Sequence, residues 1–163
     1  MPPLRLRHAV RALVLDEAER ILLCRHLVQE TGTAVWAAPG GGIERHEGPL
    51  AALRRELREE VGLVVAHDPP HVWHQEVVGP GYAVGYDGVV NDYFLVRTAW
   101  FAPSGALTAA ELAAEHIDGL KWWRPAEIAA CRGPDLFSPR DLATPLRALL
   151  RSGVPREPLV LGV

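Results

Sequence analysis

A single α/β (α+β) sandwich built on a mixed sheet is the architecture this sequence predicts, on three observations. Short aliphatic runs alternate with segments of helical period, and no linker, repeat or low-complexity stretch interrupts them. A chain of 163 residues is long enough to bury one core, so a single domain over residues 1–163 is expected. Hydrophobic residues make up 48% and charged residues 23%, the balance of an ordinary globular chain.

The elements follow in order. Residues 8–15 (HAVRALVL) and 21–24 (ILLC) flank the polar DEAER and read as two strands joined by a turn. Residues 29–33 are polar and contain Gly32, which suggests a loop. Residues 35–38 read as another short strand, ended by Pro39 and a loop of Gly40, Gly41 and Gly42. From 49 to 61 the period turns helical, with Leu50, Leu53, Leu57 and Val61 on one stripe. Pro49 suits a first turn, Glu47 sits where the helix dipole favours a carboxylate, and Gly62 is the expected terminator. Residues 63–65, 72–78, 93–101 and 120–123 read as strands, and the glycine-rich stretch 79–88 as a mobile loop. Residues 125–130 suggest a small helix and 139–151 a longer one, with Ser138 or Asp141 near its start. Past Gly153 the tail is expected to pack extended or fray.

A net charge of −3 argues against nucleic acid held on a broad basic face. An acidic ligand would need local arginines or a metal ion. Cys24 and Cys131 form no CxxC pair and no disulfide framework; each reads as a small buried hydrophobe. That usage points to a reducing cytoplasm. The first seven residues carry charges where a signal peptide is apolar, and no apolar run approaches the roughly 20 residues of a spanning helix.

The chemistry concentrates in residues 40–63, GGGIERHEGPLAALRRELREEVGL. At about 100° per residue, Glu56, Glu59 and Glu60 fall on one helical face. Like charges at this spacing cost roughly 0.2–0.5 kcal/mol per pair. A solvated face laced by Arg54, Arg55 and Arg58 explains such a run by itself. The adjoining glycines favour a ligand instead, because they let backbone approach it closely. Carboxylates beside such a loop suit a hard cation, above all magnesium, which prefers oxygen ligands.

This stretch resembles the Nudix box, Gly-x5-Glu-x7-Arg-Glu-U-x-Glu-Glu-x-Gly-U with U aliphatic. Its defined positions are filled here by Gly41, Glu47, Arg55, Glu56, Leu57, Glu59, Glu60, Gly62 and Leu63. The lead-in WAAPGG at 36–41 resembles the MutT-like branch. The resemblance implies the Nudix fold, a mixed sheet between helices with the box as loop–helix–loop. It also implies Mg2+, with Mn2+ as substitute, held by Glu56, Glu59, Glu60 and the Gly40 carbonyl. Arg55 and Glu47 would pair and orient the helix, and Gly41 and Gly42 would face the substrate. The implied reaction is hydrolysis of a phosphoanhydride bond in a nucleoside diphosphate linked to another moiety. A nucleoside triphosphate, an oxidised nucleotide, an ADP-ribose-like compound and a dinucleoside polyphosphate all satisfy the box. The implied partner is a small molecule, with no nucleic-acid polymer and no membrane, and the protein a monomer or homodimer.

Two other readings within the resemblance are a ligand-sensing module and an isopentenyl-diphosphate-isomerase-like enzyme. A sensor would tolerate missing glutamates, and none is missing. The isomerase needs a catalytic cysteine in a site strand, and neither Cys24 nor Cys131 flanks an acidic motif. The general base is Glu56 or an acid outside the box. In MutT-like relatives a further glutamate precedes a late strand with tryptophan, here LKWW at 120–123, which points to Glu115. Glu111 and Asp118 are its rivals, and a plain solvated helix over 108–115 is the bland alternative.

Weaker signals complete the reading. Arg25, His26 and Arg97 are candidate phosphate contacts, with Arg25 and Arg97 taken as substrate-binding, although an arginine on a strand usually marks a solvated edge. His67, His71 and His74 are loosely spaced for zinc but read better as surface or substrate-rim groups, with Val72, His74 and Glu76 on one strand face. Trp36 and one of Trp122 and Trp123 read as packing. The loop 79–88 is expected either to border the substrate and order on binding or to be an uninvolved hairpin tip.

Overall fold

The computed structural model describes residues 1–163. In chain order the elements are β1 (Leu6–Leu15), β2 (Ile21–Val28), β3 (Thr33–Ala37), β4 (Gly40–Gly42), α1 (Pro49–Glu60), β5 (His71–Val78) and β6 (Gly88–Arg97). They continue with α2 (Ala109–Ala114), β7 (Ile117–Trp123), α3 (Pro125–Ala130), β8 (Leu136–Ser138), α4 (Ala143–Ser152) and β9 (Leu159–Leu161). No helix is long and apolar enough to cross a membrane.

The nine strands form one mixed sheet, ordered β8-β3-β2-β1-β6-β5-β9, with β4 on β1 and β7 on β2. The pairs β1–β6, β3–β8 and β5–β9 are parallel; the others are antiparallel. The first hairpin closes where the sequence places it, but β1 and β2 pair only at Leu15↔Ile21 and then splay apart. The chain that follows fills the wedge: β3 pairs with β2, and after Ala38 and Pro39, β4 pairs with β1. A site at the mouth of that wedge is reached from both half-sheets.

Alternate residues of the central strands feed two cores, as period-two geometry requires. Leu13, Leu15, Ile21, Leu23, Trp73 and Tyr93 pack against Ile128 of α3 and Leu146 and Leu149 of α4. Val10, Ala12, Val14, Leu22, Cys24 and Phe94 pack against Ala52, Leu53 and Leu57 of α1. Burial on both faces explains why residues 12–15 and 21–24 read as continuous apolar runs.

Several boundaries differ from the sequence reading. Gly40–Gly42 is a short strand, because β1 offers its edge to be paired. Residues 63–65 are no strand. Leu63 and Val65 pack against the α1 core, and the Arg54 side chain takes the Val65 and His67 carbonyls that a neighbouring strand would have bonded. The late strand starts at Gly88 and stops at Arg97, the span of its parallel ladder with β1 from Leu6 to Leu15. The last helix begins at Ala143, where the Asp141 carboxylate accepts from Thr144, and the tail packs as β9 along β5. Gly62 terminates helix α1 as expected: with φ at 78° it turns the chain so that the amides of Val61, Gly62 and Leu63 all reach the Leu57 carbonyl.

Candidate active site

A cavity of about 1170 Å³ opens at the wedge, between β1, β2, β4, α1 and the loop 79–88. Glu56 and Glu60, one turn apart on α1, enter it almost fully buried, at 7% and 2% exposure, and Glu59 lies beside them half-buried. Glu115 arrives from the opposite wall, as the residue that ends α2. One oxygen from each of Glu56, Glu60 and Glu115 lies within 4.8 Å of the others. Glu111 is engaged elsewhere, closing a capping box with Thr108, and Asp118 pairs with Arg25 at 2.7 Å. Their partners thus separate Glu115 from both of its rivals.

Crowded carboxylates raise one another's proton affinity. Burial, and then the charge of Glu56, push Glu60 up to about 8. Burial, and then Glu56 and Glu59, raise Glu115 as well. The Glu60 carboxylate accepts only from the Gly40 amide at 3.2 Å and the Cys24 thiol at 3.7 Å. Oxygen ligands, the burial of Glu56 and Glu60 and an excess of negative charge fit a hard divalent cation among Glu56, Glu60 and Glu115. Cys24 therefore does touch an acid in space. Burial raises its thiol well above the usual range, so it stays protonated as a donor to Glu60 and does not suit a nucleophile.

Arg55 holds the helix to the glycine strand. It donates to Glu47 at 2.8 and 2.9 Å, to the Gly42 carbonyl at 3.1 Å, to Glu56 at 3.0 Å and to Glu59 at 3.4 Å. Those bonds press Glu47 down to about 2. Glu47 thus acts as partner of Arg55 and of the Glu44 amide; the residue that caps α1 is Gly48. The glycines are required by space. A Cβ on Gly41 would lie 2.4 Å from Glu56 Oε1, and one on Gly42 would lie 2.6 Å from Arg7 Nη2. A carboxylate and a guanidinium rest on adjacent glycines.

Of Arg25, His26 and Arg97, only His26 lines the cavity. A bulge between Arg25 and His26 turns the arginine outward, where Asp118 at 2.7 Å and Asp135 at 2.9 Å hold it. Arg97 borders a separate depression with His67 and Asp68. Burial, then Arg11 and His116, lower His26 to about 4, so it is neutral, and its buried Nε2 has no partner. Trp36 donates to Asp135 and packs edge-on against Trp123, as the packing reading has it.

Among the cavity residues that escaped the sequence reading are Arg7, Arg11, Tyr82 and Tyr86. Neither arginine forms an ion pair, and Arg11 donates only to the Ala38 carbonyl. Their spacing along one strand is a weak signal at best. Tyr82 and Tyr86 are 51% and 42% exposed on the loop 79–88, which therefore borders the cavity. Asp87 and Arg5 bond each other's backbone, fastening that loop to the start of β1, and the Arg5 guanidinium lies 5.6 Å from the Tyr86 ring centre.

A mixed sheet between helices, with crowded carboxylates on the helix that follows a glycine strand, defines a class, and comparison with known proteins agrees. The NUDIX domain profile matches residues 5–144, and the chain belongs to this family. It is 30% identical to the CTP pyrophosphohydrolase of Escherichia coli over 118 residues, covering 72% of this chain and 76% of that enzyme. It is 32% identical to the RNA pyrophosphohydrolase of Roseobacter denitrificans over 108 residues, covering 60% and 64%. The chain spans less than two thirds of the length of the RNA pyrophosphohydrolases it matches. Among solved structures, the E. coli ORF135 protein superposes with a TM-score of 0.65 at 23% identity, covering 96% of this chain and 100% of that one. That last likeness is one of fold.

Proposed function

We propose that this chain is a magnesium-dependent hydrolase that cleaves a phosphoanhydride bond in a small nucleoside-diphosphate-type substrate. The observation that carries the reading is the convergence of Glu56, Glu60 and Glu115 beside two arginines without ion pairs. Pyrophosphohydrolase relatives support the same chemistry. Glu56 and Glu60 would hold the cation, Glu59 and the Gly40 carbonyl would complete its surroundings, Glu115 faces it from the opposite wall, and Mn2+ would replace Mg2+. When bound, the metal supplies Lewis-acid stabilisation of phosphate charge and acidifies water.

The protein's own groups do the rest. Arg55 positions Glu56 and Glu59 against the glycine strand, so that loss of Arg55 acts through them. Gly41 and Gly42 clear the floor on which phosphate lies. Arg7 and Arg11 donate to phosphate oxygens, the role left by their lack of acidic partners. Neutral His26 turns its free nitrogen to the substrate, and Tyr82 and Tyr86 offer aromatic faces at the rim. Glu115, the most exposed of the three acids and brought in by a separate element, accepts the proton of the attacking water. Burial and the charges of Glu56 and Glu59 raise its proton affinity, which suits a base. We place the protein in the cytoplasm as a single domain.

Incubating purified protein and Mg2+ with nucleoside triphosphates, an oxidised triphosphate, ADP-ribose and a dinucleoside polyphosphate tests this reading by release of phosphate, pyrophosphate or nucleoside monophosphate. Turnover that EDTA stops and Mg2+ restores is expected. No turnover of any of them, or turnover indifferent to EDTA, overturns it.

A further inference from the structure

A second group of ligand-type side chains lies outside the cavity, on the β5–β6 ladder. In a regular strand residues three apart point to opposite faces. The register shift between His71 and Trp73 breaks that rule and brings His71 and His74 onto one face, above Asp92 of β6. The same bulge removes Val72 from the face it was expected to share with His74 and buries it.

The contacts are specific. His74 Nδ1 is 2.6 Å from Asp92 Oδ1, and its Nε2 is 3.4 Å from Glu76 Oε2. His71 Nε2 is 2.9 Å from the same Asp92 oxygen and 3.0 Å from the Trp73 carbonyl. The His71 ring is fixed by stacking on Phe94, with centroids 5.0 Å apart and planes at 24°. The three ligand atoms lie within 4.8 Å of one another. Side-chain exposures of 35%, 31% and 27% for His71, His74 and Asp92 leave the group open to solvent.

Charge decides what this arrangement wants. A neutral imidazole has one N–H and one lone pair, yet both nitrogens of His74 face carboxylate oxygens. One of those contacts sets lone pair against lone pair unless a positive charge sits there. A second proton supplies one answer. A dication on Nδ1 supplies the other, leaving Nε2–H to donate to Glu76, the carboxylate–histidine–metal arrangement that orients metal-binding imidazoles. With two neutral imidazoles the group carries the two negative charges of Asp92 and Glu76, matching a dication. Metal–nitrogen and metal–oxygen bonds of about 2.0–2.2 Å need only a small rotation of the Asp92 carboxylate to open the existing contacts. Two imidazoles and one carboxylate select zinc and its transition-metal neighbours over magnesium.

We propose that His71, His74 and Asp92 form a second metal site, for zinc or a similar transition dication, with Glu76 orienting His74. It shares no residue with the carboxylate site. Asp92 and Gly41 pair with opposite sides of Val10, so two strand spacings, about 10 Å, separate them. A bound ion would tie β5 to β6 at the bulge.

The test measures zinc binding to protein carrying Glu60→Gln, which disables the carboxylate site, by competition with a chromophoric chelator. One zinc is expected to bind, with millimolar magnesium failing to displace it. His71→Ala, His74→Ala and Asp92→Asn should each weaken it by at least about 100-fold, and Glu76→Gln by about tenfold. Zinc should also raise the melting temperature of the parent and not of the His74 variants. His74→Gln, which keeps a hydrogen bond to Asp92, guards against a folding defect and should lose zinc equally. Zinc affinity in the His71 and His74 variants within about threefold of the parent overturns the proposal.

Discussion

Replacing Glu60 by Gln should stabilise the metal-free protein while removing its turnover. With its pKa raised from 4.5 to about 8, Glu60 keeps its proton in the folded protein and loses it in the unfolded chain between those values. Over that window the unfolded state binds fewer protons, so stability falls as pH rises. The contribution of protonated Glu60 is undiminished below pH 4.5 and fully lost above about 8. At about 1.36 kcal/mol per pKa unit, the deficit reaches on the order of 3 kcal/mol at pH 7. The glutamine variant has no carboxylate to desolvate and should not show it. For a chain of this size that is about 6–12 °C in melting temperature. Thermal melts of both proteins in EDTA from pH 5 to pH 9 provide the assay. The two should coincide near pH 5 and separate steadily, the variant higher, until about pH 8. Magnesium should close the gap by stabilising the parent alone, since it binds the ionised carboxylate and releases its proton. Parallel melting curves, within about 2 °C of each other at every pH, would refute the burial argument. Turnover of the variant near the parent's with saturating magnesium would refute the metal assignment.

Four further outcomes follow from the geometry. Glu115→Gln should lower kcat by about 10²- to 10⁴-fold, whereas Glu111→Gln, whose amide preserves the α2 capping box, should stay within about threefold; equal rates for the two sink the assignment of Glu115. Gly41→Ala, with a Cβ aimed 2.4 Å from the Glu56 carboxylate, should fold but lose at least about tenfold in kcat/KM, and an unimpaired enzyme would mean that Glu56 can move freely. Arg7→Ala should raise KM by about tenfold or more, beyond any fall in kcat, as expected when a charge-assisted phosphate bond is lost. In the same preparation, amide exchange over residues 79–88 should slow with a slowly hydrolysed nucleotide bound; unchanged exchange there rejects closure of the tyrosine loop over substrate.

What the sequence made legible is what is local along the chain. The stripe Leu53, Leu57, Val61 and the acids at 56, 59 and 60 lie on one helix, so their periodicity already contains the geometry. Glu115 was reached through the family resemblance, in which a further glutamate precedes a late strand with tryptophan, here β7. Arg7, Arg11, Tyr82 and Tyr86 were not, since only the pairing of β1 with β4 and β6 brings those segments beside α1. Arg25 misled for the same reason. A single bulge decides whether residue 25 or 26 faces the cavity, and no composition signal records it. The histidines show the effect in reverse: strand alternation separates His71 from His74, and a register shift reunites them over an aspartate eighteen residues away from His74.

The single rung between β1 and β2 has a consequence for how such an enzyme can change. One wall of the cavity, with Arg7, Arg11 and the tyrosine loop, belongs to the half-sheet of β1 and β6. The other, with His26, Glu115 and His116, belongs to that of β2 and β7. The walls touch at Leu15 and Ile21 and through the crossing at Ala38 and Pro39. Lengthening the loop 79–88, or exchanging the α2–β7 segment, therefore leaves the register of the opposite wall undisturbed. The two sides can be recombined like the halves of a mould, each recasting one end of the ligand while α1 keeps its carboxylates in place.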